Sequence, residues 1–135
     1  MLENAKFHHI GIAVASVDKA TPFYQLSGYT VSESVIEPIQ KVRVCYARKD
    51  GFPTMELLEP IDETSPVAKV LGRNGGNTPY HVCYEVPDIK AAVAEMRRNG
   101  FMPLGRPIPG HGLDDALMVF CFNKDVGLVQ IMETK

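Results

Sequence analysis

Cysteine is scarce in this chain and badly placed for crosslinking, since Cys45, Cys83 and Cys121 are odd in number, far apart and form no Cys-x-x-Cys pair. Neither a disulfide framework nor a zinc knuckle is implied, and a reducing cytoplasm is the expected setting. Charge of one sign is also lacking. A net charge of −2 gives no electrostatic footprint for nucleic acid or for an anionic membrane. Long apolar runs are missing too, because no stretch approaches the roughly 20 residues that a membrane-spanning helix needs. The first residues, Met1 to Lys6, have no extended apolar core of the signal-peptide kind, so the chain is read as soluble and unprocessed. What is present is ordinary for a globular protein: 45% hydrophobic and 22% charged residues over 135 positions, enough for one compact domain.

The informative feature is a repeat. His9-Ile10-Gly11-Ile12-Ala13-Val14 returns as His81-Val82-Cys83-Tyr84-Glu85-Val86, and the same shift of 72 (81 minus 9) superposes Ala20 on Ala92, Gly28 on Gly100 and Tyr29 on Phe101. A second pair of strands, Met55 to Glu59 and Val129 to Glu133, matches at a shift of 74 (130 minus 56). Such self-similarity is the signature of a duplicated supersecondary unit. The duplicated strands carry His9, Glu56, His81 and Gln130.

Each copy reads as βαβββ. Phe7 to Val14 has strand length and composition, with His9, Gly11 and Ala13 on one face and the greasy Ile10, Ile12 and Val14 on the other, which should lie under a helix. Ser16 is a fitting N-cap for a helix from Val17 to Leu26 stopped by Gly28. Pro22 predicts a kink or a late start there, since it removes a hydrogen bond and crowds the carbonyl of Asp18. Strands are expected at Tyr29 to Ile36, Lys41 to Arg48 and Thr54 to Glu59. Residues 60–78 connect the copies, with a short helix from Pro66 to Leu71, N-capped by Ser65 and closed by Gly72. The second copy, 79–133, should hold a strand from Pro79 to Val86 and a helix from Asp88 to Asn99 with Ile89, Val93 and Met96 on its buried stripe. Strands near Phe101 to Arg106, Ala116 to Phe122 and Gly127 to Glu133 then follow. Pro107 to Asp115 reads as a long polar loop, either a lid or a mobile segment.

A single strand histidine is more often structural than a ligand, but two at equivalent positions of a duplicated strand change that balance. Two imidazoles, a carboxylate and a carboxamide make a nitrogen and oxygen set that suits one divalent ion, with Zn, Ni, Co or Mn all compatible. Glu56 strengthens the reading, because a carboxylate between Met55, Leu57 and Leu58 is costly unless paired, exposed or bound to a cation. His8, on the opposite face from His9, is read as structural, Cys83 as a small buried hydrophobe and His111 as a solvated loop residue.

Taken together these residues resemble the vicinal oxygen chelate superfamily, in the branch of methylmalonyl-CoA epimerases and small bacterial glyoxalase I proteins. The similarity lies in His9 to Val14, Glu56-Leu57-Leu58-Glu59-Pro60, Ser65-Pro66-Val67-Ala68-Lys69, and His81 followed by Glu85-Val86-Pro87-Asp88-Ile89, and it spans about residues 7 to 133. The resemblance implies an α+β fold of two tandem βαβββ modules forming a cupped mixed sheet, with His9, Glu56, His81 and Gln130 as metal ligands. It implies an enzyme that moves a proton beside a metal-held oxygen of a hemithioacetal or acyl thioester. Where the family usually has a glutamate this chain has Gln130, which leaves Glu56 as the carboxylate able to act as catalytic base. The run from Glu59 to Lys69 leans toward the epimerase, while the short chain and Thr78-Pro79-Tyr80-His81 lean toward glyoxalase I, the preferred of the two. A dioxygenase with a two-histidine, one-carboxylate iron site, or a non-catalytic binding module, are the alternatives of other classes. Edges left open by such modules predict a homodimer.

Overall fold

The structure is a computed structural model that describes residues 2–134. It is α+β, as the resemblance implies, and divides into two compact units, one of residues 9–80 and one of residues 2–8 together with 81–134.

In the first unit β1 (Lys6–Ala13), most of which belongs here, pairs in parallel with β5 (Met55–Pro60), and β5 pairs antiparallel with β4 (Val42–Arg48). Helix α1 (Val17–Leu26) starts where expected, with the Ser16 hydroxyl accepting from the Lys19 amide. Its apolar stripe packs Val17, Ala20 and Tyr24 on Ile12, Cys45 and Leu57. The late start predicted from Pro22 is not seen. Pro22 lies on the exposed side of α1, where water can serve the carbonyl it frees. The strand expected from Tyr29 to Ile36 is broken into β2 (Thr30–Val31) and β3 (Val35–Glu37), both antiparallel to β4. The cause is Ser32, which donates its amide to the Tyr46 carbonyl and takes the Tyr46 amide on its hydroxyl, so a side chain replaces a ladder carbonyl.

Helix α2 (Pro66–Asn74) corrects the predicted stop at Gly72. Gly72 is exposed in the helix interior and costs about 1 kcal/mol of propensity there, too little to end a helix that is capped by Ser65 and buries Val67. The stop falls instead at Gly75, whose φ of 68° is the left-handed conformation that closes a helix.

The second unit repeats this order. Strand β6 (Thr78–Val86), in this unit from His81 onward, pairs in parallel with β10 (Gly127–Glu133), and β10 pairs antiparallel with β9 (Ala116–Asn123). Helix α3 (Ile89–Arg98) buries Ile89, Ala92 and Met96, with Val93 partly buried, against Val119, Cys121, Val129 and Ile131. The strand expected from Phe101 to Arg106 shrinks to β7 (Met102–Pro103), and the predicted loop from Pro107 to Asp115 contains β8 (Ile108–Gly110) and a 3-10 turn at His111–Leu113. β8 pairs with β9, so the first part of this segment is tied to the sheet. Leu104 donates to the Phe120 carbonyl just as Ser32 donates to that of Tyr46, and the break recurs at the equivalent place.

One capping device is also duplicated. Glu59 Oε1 accepts the Val17 amide at 2.7 Å and Glu133 Oε2 accepts the Ile89 amide at 3.0 Å, so the end of each final strand caps the helix of its own unit.

Candidate metal centre

The four residues singled out from the repeat are all buried: His9 at 0%, Glu56 at 5%, His81 at 4% and Gln130 at 2% exposure. In the first unit the parallel register of β1 and β5 sets Gly11 opposite Glu56. This brings His9 and Glu56 together, with Nε2 3.2 Å from Oε1. Two donors held at right angles about 2.1 Å from one ion lie about 3 Å apart, so this pair has the spacing of neighbouring metal ligands. The other carboxylate oxygen, Oε2, accepts a hydrogen bond of 2.5 Å from the Tyr46 hydroxyl, and Tyr46 stands directly across the β4–β5 ladder from Glu56. The Tyr46 ring also sets its edge toward His9, with centroids 5.8 Å apart and planes at 76°. A buried carboxylate is thereby held by an imidazole on one side and a phenol on the other, which is what offsets its loss of water.

In the second unit His81 lies on β6 with Leu128 of β10 opposite, and Gln130 of β10 stands opposite Cys83 on one side and Phe120 on the other. The His81 and Phe120 rings meet edge to face, centroids 5.1 Å apart and planes at 87°. The Gln130 carboxamide oxygen is buried with no hydrogen-bond partner among the described residues. An amide oxygen without a donor costs about 1–3 kcal/mol in a protein interior, and a cation is the kind of ligand that removes this cost. Each unit thus holds one buried imidazole and one buried oxygen donor, a carboxylate in the first and a carbonyl in the second, and donors of these kinds suit a divalent ion.

Tyr46 was not singled out by the sequence reading. The signal was present, because the shift of 74 that superposes Glu56 on Gln130 superposes Tyr46 on Phe120. Tyr80, next to His81 in sequence, was also missed. Burial pushes its hydroxyl well above the usual phenol range, with Glu56 and Glu37 pushing the same way, so it stays protonated at neutral pH. Glu37 is itself buried and accepts the amides of Ile39 and Gln40, the latter at 2.6 Å, and so closes the turn between β3 and β4. Cys83 is buried, as expected for a small hydrophobe. His111 is exposed in its turn, 3.3 Å from Asp115.

Residues 8–122 match the model of the Glyoxalase/Bleomycin resistance protein/Dioxygenase superfamily. The chain is 33% identical over 129 residues to the mitochondrial methylmalonyl-CoA epimerase of Homo sapiens, covering 93% of this chain and 71% of that protein. It is 32% identical over 121 residues to the ethylmalonyl-CoA/methylmalonyl-CoA epimerase of Cereibacter sphaeroides, covering 89% and 90% of the two chains. A solved methylmalonyl-CoA epimerase in complex with methylmalonyl-CoA and NH4+ superposes with a TM-score of 0.82 at 28% identity, over 96% of this chain and 94% of that one. These relatives back the epimerase reading; the preference for glyoxalase I finds no support among them.

Proposed function

Because this chain belongs to the Glyoxalase/Bleomycin resistance protein/Dioxygenase superfamily, we propose that it is a metal-dependent epimerase of a methylmalonyl-CoA-type acyl thioester. The observation that carries this reading is the buried carboxylate of Glu56, fixed by His9 and Tyr46, in a chain whose relatives are epimerases. His9, Glu56, His81 and Gln130 are the proposed ligands of one divalent ion. When bound, that ion supplies a Lewis acid for the thioester oxygen of the substrate.

The substrate carbon lies between a thioester carbonyl and a carboxylate, so its hydrogen is acidic. Removing it breaks the C–H bond, places the electron pair in the enolate and the proton on a base. Glu56 takes that proton, because the amide of Gln130 lacks basicity near neutral pH. A proton drawn from solvent is then delivered to the opposite face of the carbon, the enolate electron pair re-forming the C–H bond, and Glu56 releases the proton it took to solvent, which gives the epimer.

The test is to incubate metal-loaded protein with one epimer of methylmalonyl-CoA in D2O and follow both epimers and deuterium at the acidic carbon. Epimerisation with deuterium incorporation supports the proposal. Turnover of methylglyoxal plus thiol without action on methylmalonyl-CoA would restore glyoxalase I, and no exchange on either substrate would leave a binding module.

A further inference from the structure

The two units carry the same arrangement with one hydroxyl of difference. In each, an aromatic residue stands across the antiparallel ladder from the oxygen ligand, Tyr46 from Glu56 and Phe120 from Gln130, and turns its ring edge to the histidine of its unit. Only Tyr46 carries a donor, and it places that donor on Glu56 Oε2. The Gln130 oxygen, on the residue paired with Phe120, has none among the described residues.

The chemistry of the two ligands explains the difference. A carboxylate has two equivalent oxygens and can seize a cation with both, whereas a carboxamide offers a single oxygen. A charge-assisted O–H···O bond of 2.5 Å is among the stronger hydrogen bonds available to a protein and is not readily given up. It takes Oε2 out of competition and leaves Oε1, the oxygen beside His9 Nε2, for the ion. A hydroxyl at position 120 would do the opposite, because its hydrogen bond would take one lone pair of the single oxygen Gln130 has and make that oxygen a poorer ligand. The Arg48 guanidinium lies over the Tyr46 ring, 4.8 Å from the centroid, which restrains the phenol in its donating position.

Resting on the metal reading above, we infer that Tyr46 and Phe120 are a matched pair of positioning residues that leave each unit one ligating oxygen: the Tyr46 hydroxyl reserves Glu56 Oε2, and the bare Phe120 ring keeps Gln130 Oε1 open. The same hydrogen bond would hold the Glu56 carboxylate in place for its proposed role as base.

The experiment compares the parent with Tyr46→Phe and Phe120→Tyr, each a change of one hydroxyl. Melting temperatures are measured without metal, and Mn2+ is then titrated with water-proton relaxation as the readout, which gives both affinity and the number of waters on the ion. Phe120→Tyr should bind Mn2+ at least about tenfold more weakly while melting no lower than the parent, since the new hydroxyl satisfies a buried oxygen in the metal-free protein. Tyr46→Phe should hold one water fewer on the ion, the released Oε2 having replaced it. Failure of either shift removes the role from that residue, and either variant alone decides its half if the other does not fold. If the parent binds Mn2+ and both variants match it, the aromatic pair only packs, and the inference falls while the metal reading stands. If the parent binds no metal, the metal reading falls and the inference with it.

Discussion

At the scale of the residue the chain turns on where a carboxylate has been kept and where it has been exchanged for an amide. Glu56→Gln removes the proposed base and one negative charge together, so proton exchange on a verified substrate should fall by about 10²- to 10⁴-fold, the usual loss of general-base catalysis. Solvent deuterium incorporation measures it, and an unchanged rate would move the base elsewhere. Gln130→Glu adds a charge to the same ligand set and should tighten divalent metal binding, which a competition titration against a chelator would read. The candidate ligand positions stand out in the sequence because a repeat marks equivalent strand positions, and the structure buries all four. Tyr46 was not, because a tyrosine inside Val-Arg-Val-Cys-Tyr-Ala looks like any β-forming residue, and only its register opposite Glu56 reveals what its hydroxyl does.

At the scale of the element the readable features were those set by local chemistry: the Ser16, Ser65 and Asp88 caps, the apolar stripe of α3 and the long strands β4, β9 and β10. The illegible ones were decided by partners distant in sequence. The breaks between β2 and β3 and between β7 and β8 follow from hydrogen bonds to Tyr46 and Phe120, which no local pattern announces. The strand-end glutamates belong to the same class, since Glu59 and Glu133 each cap a helix more than 40 residues earlier. Glu133→Ala should therefore lower stability by about 1 kcal/mol, the usual worth of an N-terminal cap. Denaturant unfolding measures this, and an unchanged midpoint would remove the capping role from Glu133.

At the scale of the whole molecule, titration and assembly are the readable properties. The Cys45 thiol is pushed up to about 11 from 9.0, by burial first, with Arg43 pulling it down and Asp18 and Glu56 raising it further. In the unfolded chain the thiol ionises at the lower value, so the contribution to stability is intact below about pH 9 and is lost as the pH rises toward 11. Cys45→Ala should flatten that alkaline decline in denaturant titrations. Assembly follows from the strand ends. β2 and β3 in one unit and β7 and β8 in the other are short, and Val35, Ile36 and Ile39 are exposed on or beside β3. Covering such edges is a common route to pairing, so sedimentation velocity at micromolar concentration should return a homodimer, and a monomeric mass would refute it.

The division of the chain also bears on the order in which it is made. Residues 2–8 belong with 81–134, and the Leu2 amide is bonded to Glu95, 93 positions away. During synthesis at roughly 5–20 residues per second, residues 9–80 leave the ribosome as a finished unit while the segment before them still waits for its partners. The earliest part of the protein to be translated is thus among the last to dock, and a nascent chain stalled just far enough beyond residue 80 for that residue to clear the ribosome should already protect α1 from protease while leaving residues 2–8 open to it.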